Sequence, residues 1–160
     1  MYEYIVLLHV LGAFVFALAH GVSIAVALRL RGTSSREGIG ALLGLSQISL
    51  GALYVGIVML LVGGIWAGFA GDHWGRPWIW VSIGILVLVI GAMYAMATPF
   101  YGRMRVAAGI ETNPAQLKRF GDIAPGELEA MTTSSRPLLL AAIGGIGMLA
   151  ILWLMVVKPF

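Results

Sequence analysis

The sequence contains no cysteine among its 160 residues. Disulfides, thiolate metal sites, cysteine-held iron–sulfur clusters and covalently attached c-type haem are therefore excluded. Charged residues are scarce, at 11% of the chain, and histidine occurs only three times. Any cofactor chemistry must come from histidine, methionine, tyrosine or the few carboxylates.

Hydrophobic sequence takes the place of charge. Apolar residues make up 60% of the chain and the mean hydropathy is +0.96, both far from the balance of a soluble domain. Four apolar segments, about residues 4–28, 40–69, 77–100 and 137–157, are each long enough to cross a bilayer as a helix. The sequence predicts a single-domain, all-α polytopic membrane protein, a four-helix bundle over residues 1–160. The first segment is expected to be a retained span, because it ends at the basic sequence RLRG.

Basic residues are distributed unevenly between the connections. The connections after the first and third segments hold eight Lys and Arg residues, whereas the other side holds Arg76 and Lys158. Because Lys and Arg near helix ends are retained in the cytoplasm, both termini and the loop AGDHWGRPW are predicted outside. The loop 101–136 is then cytoplasmic, and its mixed charge argues against nucleic-acid binding. Pro114 and Pro125 each predict a short helix there.

Two of the three histidines lie in the first apolar segment, within LLHVLGAFVFALAHGVSIAVAL. An imidazole in a membrane helix needs a hydrogen-bond partner, a metal or a wet cavity, because unsatisfied polar groups in hydrocarbon are costly. The spacing of His9 and His20 is close to three full helical turns, so both rings are expected on one face. His9 is expected near the outer boundary and His20 near the midplane, while His73 lies in the outer loop.

Glycine is abundant, at 22 residues. Small residues either let membrane helices touch closely or leave room for a flat group between them. Proportional depth along the spans predicts a layer of small, amide and thioether residues near the level of His20: Gly51, Gly91, Gly144, Gln47, Met93 and Met148.

This layer admits two interpretations. In the first, the glycines form packing seams and His20 bonds Gln47 or a backbone carbonyl. Seven-residue spacings predict three such seams, in Gly44 and Gly51, in Gly56 and Gly63, and in Gly84 and Gly91. In the second interpretation, His20 or His9 is an axial ligand of a b-type haem held between helices. No later span contains a histidine, so the opposite ligand of His20 would be Met93, Met96 or Met148, or a histidine from a second copy of the chain, or the iron would be five-coordinate.

The outer face offers a copper site as an alternative. His9 and His73 could jointly ligate haem or copper there, since imidazole suits both iron and copper. His9, His20 and His73 are thus the candidate metal ligands of the chain. For His73, the competing interpretation is an ordinary exposed loop residue.

Three motifs, LHVLGA, AHGVSIAVALRLR and ATPFYGRMR, resemble those of small bacterial four-helix membrane proteins. These form a domain-of-unknown-function family related to the CopD-type copper-resistance proteins. The resemblance covers helices 1 to 3 and implies a four-helix bundle in the bacterial inner membrane. It also draws attention to His9 in the LH-x-LG turn. A more distant similarity is to the membrane oxidases of haem biosynthesis, although this chain has no lysine in helix 3.

Three functional hypotheses follow. The preferred one is a histidine-based cofactor site, b-type haem, that serves transmembrane electron transfer. The second is copper binding or transport at the outer face. The third is a non-catalytic accessory subunit of a larger membrane complex, with no cofactor. Besides the lipid bilayer, a second copy of the chain or other subunits are expected as partners, through the glycine seams.

Overall fold

The structure is a computed structural model that describes residues 1–111 and 113–160. The described residues form six helices: α1 Tyr2–Leu30, α2 Arg36–Ala70, α3 Pro77–Ala107, α4 Pro114–Phe120, α5 Glu127–Thr133 and α6 Arg136–Val157. Of these, α1, α2, α3 and α6 are apolar and long enough to cross a membrane. The predicted all-α bundle with four long apolar helices is confirmed.

Two of the long helices extend well beyond the predicted apolar segments. α2 begins before residue 40, at Arg36, where the Ser35 hydroxyl accepts a hydrogen bond from Gly38 N at 3.2 Å. Such N-caps stabilise a helix start whatever its hydropathy. α3 continues past residue 100 to Ala107, because Met104 is completely buried in the core there. Hydropathy alone marks the membrane crossing and misses these polar ends.

The residues predicted as the 101–136 loop are partly helical. The end of α3 occupies its start, and two short helices follow. α4 begins at Pro114, as predicted, and Asn113 caps it by accepting from Ala115 N at 2.9 Å. α5 begins at Glu127 rather than at Pro125, after Gly126 in the left-handed conformation at φ 78°. Glycine adopts this conformation without the steric cost of a Cβ.

The long helices pack in the order α2, α1, α6, α3. α2 and α3 meet mainly at one end, where Leu43 of α2 and Phe100 and Met104 of α3 share a buried cluster. That end also holds the two basic connections, and we call it the basic end. The opposite end holds Trp78 and Leu154 in a second buried cluster, and we call it the tryptophan end.

One of the predicted glycine seams brings α1 and α2 into backbone contact. Gly56 of α2 lies against the backbone of Phe16, and Gly63 lies against that of His9. A Cβ at Gly63 would lie 2.6 Å from His9 N, which is closer than side chains pack. Gly12 of α1 approaches the α2 backbone in the same way. The Gly56 and Gly63 seam is therefore confirmed as a packing seam.

The other two predicted seams face away from the bundle. Beyond the neighbouring turns, no described residue lies within 4 Å of a Cβ built at Gly44 or Gly51 on α2, or at Gly84 or Gly91 on α3. All four glycines are exposed. At about 100° per residue, Gly51 lies roughly 140° around α2 from Gly56. One side of α2 thus packs on α1, while the opposite side is exposed.

Candidate functional site

His9 lies toward the tryptophan end of α1 with its ring against α2. Its Nδ1 is 2.8 Å from the carbonyl oxygen of Leu60. Because a carbonyl can only accept, Nδ1–H donates this bond, and in the neutral imidazole Nε2 carries the free lone pair. A Cβ at Gly64 would lie 2.8 Å from His9 Nδ1, so a glycine at this position admits the ring. The histidine is half-buried.

His20 lies near the middle of α1 with its ring against α6. It is only 4% exposed. The Ala141 backbone of α6 is the nearest candidate partner of the ring, but Nε2 makes no hydrogen bond of good geometry with the described residues. Its ring stacks on Phe16 with centroids 6.4 Å apart and planes 6° from parallel. A Cβ at Gly144 would overlap ring atoms Cε1 and Nε2. The glycine at position 144 therefore admits the His20 ring, and no room for even a methyl group remains between the ring and the α6 backbone.

The two histidines share a face of α1 by helical spacing but contact different helices. α1 lies between α2 and α6. Each ring packs against the helix that comes closest to α1 at that histidine's position along the helix. The ring of His9 therefore lies on α2 and that of His20 on α6. The two imidazoles have separate environments within this chain.

The predicted layer around His20 is only partly assembled. Gly144 contacts the ring. Gln47 and Gly51 are exposed on α2, on the side turned away from α1, because they lie roughly 180° and 140° around the helix from Gly56. The structure therefore does not bring Gln47 to His20.

The remaining predicted members of the layer divide between inside and outside. Val89 of α3 contacts α6 at Gly147, and Met93 lies within about 40° of Val89 around the helix. Met93 is accordingly half-buried on the interior side of α3, and Met148 of α6 is half-buried as well. Gly91 is exposed, roughly 160° around α3 from Val89.

A b-type haem does not fit at His20 in this packing. A metal bonded to imidazole lies about 2 Å from the ligating nitrogen. At that distance from His20 Nε2, the macrocycle would occupy the path of the α6 backbone at Gly144. Ligation at His20 would require α6 to move away from α1. At His9 the Leu60 carbonyl binds Nδ1, which leaves Nε2 as the ring nitrogen with a lone pair for a ligand.

His73 lies in the loop between α2 and α3. Its Nε2 is 3.3 Å from the Tyr2 hydroxyl, and a Cβ at Gly71 would lie 2.6 Å from the same nitrogen. The ring of His9 rests at Gly64, two turns earlier on α2, a rise of roughly 10 Å. The two imidazoles are thus held apart rather than around one position. Among the described residues, no group of three or more His, Asp or Glu is arranged to hold a metal.

Trp74, Trp78 and Trp80 lie together at the tryptophan end, and indole rings commonly lie at a membrane interface. Trp80 Nε1 donates to the Trp74 carbonyl at 2.9 Å, and the two rings are 5.7 Å apart. Trp78 is buried, with the Lys158 ammonium 5.6 Å from its ring centroid. The sequence did not indicate that Trp78 would be a core residue, because a belt tryptophan and a packed one look alike in hydropathy.

Arg103 ties α3 to the connection that follows it. Its Nε lies 2.6 Å from Glu127 Oε1 and its Nη2 lies 2.9 Å from Oε2. The hydrogen bond from Arg103, and then that from Ala124 N–H, holds the pKa of the Glu127 carboxyl below its usual range. Nη2 also donates to the Asp122 carbonyl at 2.8 Å. We call the contacts of Arg103 with Glu127 and Asp122 the clip. The sequence holds no signal for it, since no local pattern pairs residues 24 positions apart.

Comparisons with known proteins add no relative. No protein-family model, no curated protein and no solved structure matched this chain. The resemblance to the CopD-related family therefore stays a prediction, and the candidate site rests on its own residues.

Proposed function

We propose that the protein is a small membrane cytochrome of the bacterial plasma membrane, with His9 as an axial ligand of b-type haem used for electron transfer. The observation that supports this is the 2.8 Å hydrogen bond from His9 Nδ1–H to the Leu60 carbonyl. Metal-ligating histidines typically donate their other ring N–H to a carbonyl or carboxylate, which fixes the tautomer and strengthens the ligating nitrogen.

The surroundings of His9 supply the rest of the argument. Gly63 brings the α1 and α2 backbones together at His9, and Gly64 leaves room for the ring. The Leu60 carbonyl then holds the ring so that Nε2 keeps its lone pair. Bound haem would supply one-electron iron chemistry. The basic connections favour a topology with both termini, and therefore His9, toward the outside.

A reduced-minus-oxidised optical spectrum of protein purified in mild detergent from a haem-replete host tests the proposal. We expect near-stoichiometric haem in the wild type and in His20→Ala, and loss of the Soret band in His9→Ala. His20→Ala is the matched control because it removes an imidazole from the same helix. A haem-free wild type, or a His9→Ala variant with full haem content, would contradict the proposal.

Metal analysis of the same samples tests the copper hypothesis. Copper in the wild type that is lost in both His9→Ala and His73→Ala, with no haem band, would replace the cytochrome proposal with copper handling at the tryptophan end. Copper content that is indifferent to both substitutions would remove that hypothesis.

The open glycine faces favour a second candidate function, a non-catalytic subunit of a larger membrane assembly. Gly44 and Gly51 flank Gln47 on the exposed side of α2. Small residues allow close helix contact, and amides form hydrogen bonds between helices that stabilise by about 1 kcal/mol.

If this function holds, a partner should co-purify at fixed stoichiometry from native membranes and be lost in Gly51→Ile. Gly21→Ile, at another open and exposed glycine, should keep it. A solitary wild-type protein would remove this candidate.

A further inference from the structure

A cavity of about 370 Å³ lies at the basic end, between α3, α5 and α6. Its apolar lining includes Pro99, Phe100 and Met131. Its polar lining includes Arg103, Glu127, Ser134 and Arg136. The cavity therefore has both apolar and charged walls. A phospholipid offers matching groups, since its charged headgroup is joined to apolar acyl chains.

The position of the cavity along the spans matches the bilayer surface. Phe100 ends the apolar run of α3, and Arg136 is the first residue of α6. Both spans therefore leave the hydrophobic region at the level of the cavity. Lipid phosphates lie at this level, between the hydrocarbon core and water.

The charges of the lining leave one cation uncompensated. Arg103 and Glu127 pair with each other at 2.6 Å. Arg136 forms no ion pair with the described residues and is exposed. Ser134 Oγ accepts from Arg136 N–H at 3.2 Å, so the hydroxyl hydrogen of Ser134 remains free to donate. A guanidinium and a hydroxyl together suit a phosphate oxygen.

We propose that this cavity binds the phosphate group of an anionic phospholipid, with Arg136 and Ser134 as the donors. Basic pockets between membrane helices on the cytoplasmic side bind such headgroups. The apolar walls at Phe100 and Met131 favour a lipid over free phosphate, because they would contact the glycerol and upper acyl carbons. Arg103 orders the cavity wall by fixing α5 through Glu127. The bound lipid would thus brace α5 against α3 and α6.

Native mass spectrometry of the full chain in detergent, with added phosphatidylglycerol or phosphatidylcholine, tests this site. The wild type should retain phosphatidylglycerol in preference to phosphatidylcholine. Removing one interfacial cation should lower that retention about fivefold in Arg136→Gln, with a smaller loss in Ser134→Ala. Arg36→Gln is the matched control, since Arg36 is also exposed and also the first residue of a span at the basic end. It should retain the lipid as the wild type does.

Three results would overturn the proposal. Equal retention of the two lipids by the wild type would mean that no headgroup site exists. Equal loss in Arg136→Gln and Arg36→Gln, with unchanged circular dichroism, would reduce the effect to general surface charge. Displacement of phosphatidylglycerol by millimolar inorganic phosphate, but not by chloride of equal ionic strength, would assign the cavity to free phosphate rather than to lipid.

Discussion

His9 and His20 lie on one helix, yet their surroundings differ. His9 is half-buried and has Nδ1 bound to the Leu60 carbonyl at 2.8 Å. His20 is almost completely buried, and its Nε2 has no partner among the described residues. The difference teaches that burial and orientation by a hydrogen bond are separate properties of an imidazole in a membrane bundle. Our proposal rests on the second, because ligating histidines typically donate their other ring N–H to a carbonyl or carboxylate.

A glycine on the neighbouring helix determines how closely the backbone of that helix approaches each histidine ring. At His9, Gly64 admits the ring beside the α2 backbone, whose Leu60 carbonyl then binds it. At His20, Gly144 lets the α6 backbone come so close that it covers Nε2. The same residue type therefore positions one imidazole and obstructs the other.

The largest expected effect comes from breaking the α1–α2 seam that sets the position of His9. A Cβ at Gly63 would meet backbone at 2.6 Å, so neither helix can yield by a side-chain rotation. Gly63→Val should lower the free energy of unfolding by about 3 kcal/mol or more, measured by denaturant titration in detergent. Gly51→Val, which meets open space, is the control and should change it by less than about 0.5 kcal/mol. Equal effects would mean that the seam does not hold the helices.

A smaller effect is expected at Gly144, because the obstructing group there is a ring that can turn. Gly144→Ala should destabilise by about 1–3 kcal/mol, in the same titration. The cost should fall in the double variant Gly144→Ala/His20→Ala, since removing the ring makes room for the methyl group. Strict additivity of the two substitutions would contradict the packing of His20 on Gly144.

Replacing His20 alone sharpens the contrast between the histidines. A buried polar atom without a partner costs about 1–3 kcal/mol, so His20→Leu should leave stability unchanged or raise it by about 1 kcal/mol. His9→Leu loses a satisfied hydrogen bond and should destabilise by roughly 1 kcal/mol. If His20→Leu destabilised more than His9→Leu, an additional partner of His20 would have to exist.

The smallest effect is expected at the basic end, far from both histidines. The pKa of Glu127 is lowered by Arg103, so the clip contributes stability above the ordinary carboxyl pKa and loses it as pH falls through the lowered value. Proteolysis between α3 and α6 should therefore accelerate only below pH 4.5. Glu127→Gln should be sensitive at all pH values, while the haem content of both proteins stays equal. A clip that opened near neutral pH would contradict this assignment.

The fold was largely predictable from the sequence because hydropathy measures the property that a bilayer selects. The four spans, the helix starting at Pro114 and the Gly56 and Gly63 seam follow from run length, proline chemistry and seven-residue spacing. Helix ends were less predictable, since the start of α2 depends on the Ser35 cap and the end of α3 on burial of Met104.

The candidate site was predictable only as a set of residues. Helical spacing put His9 and His20 on one face, but it could not tell which neighbouring helix each ring would contact. The Leu60 carbonyl has no signal in the sequence, because every residue carries one. The Gly63–Gly64 pair was the available clue, since two adjacent glycines beside a seam leave room for a ring.

Imidazole rescue of His9→Gly tests the central claim most directly. The purified variant, reconstituted with haem, should lack the reduced α-band of the wild type and recover it when free imidazole fills the space left by the ring. His20→Gly should bind haem with or without imidazole. Full haem binding by His9→Gly without imidazole would contradict His9 as the axial ligand. A wild type that binds no haem would contradict it as well.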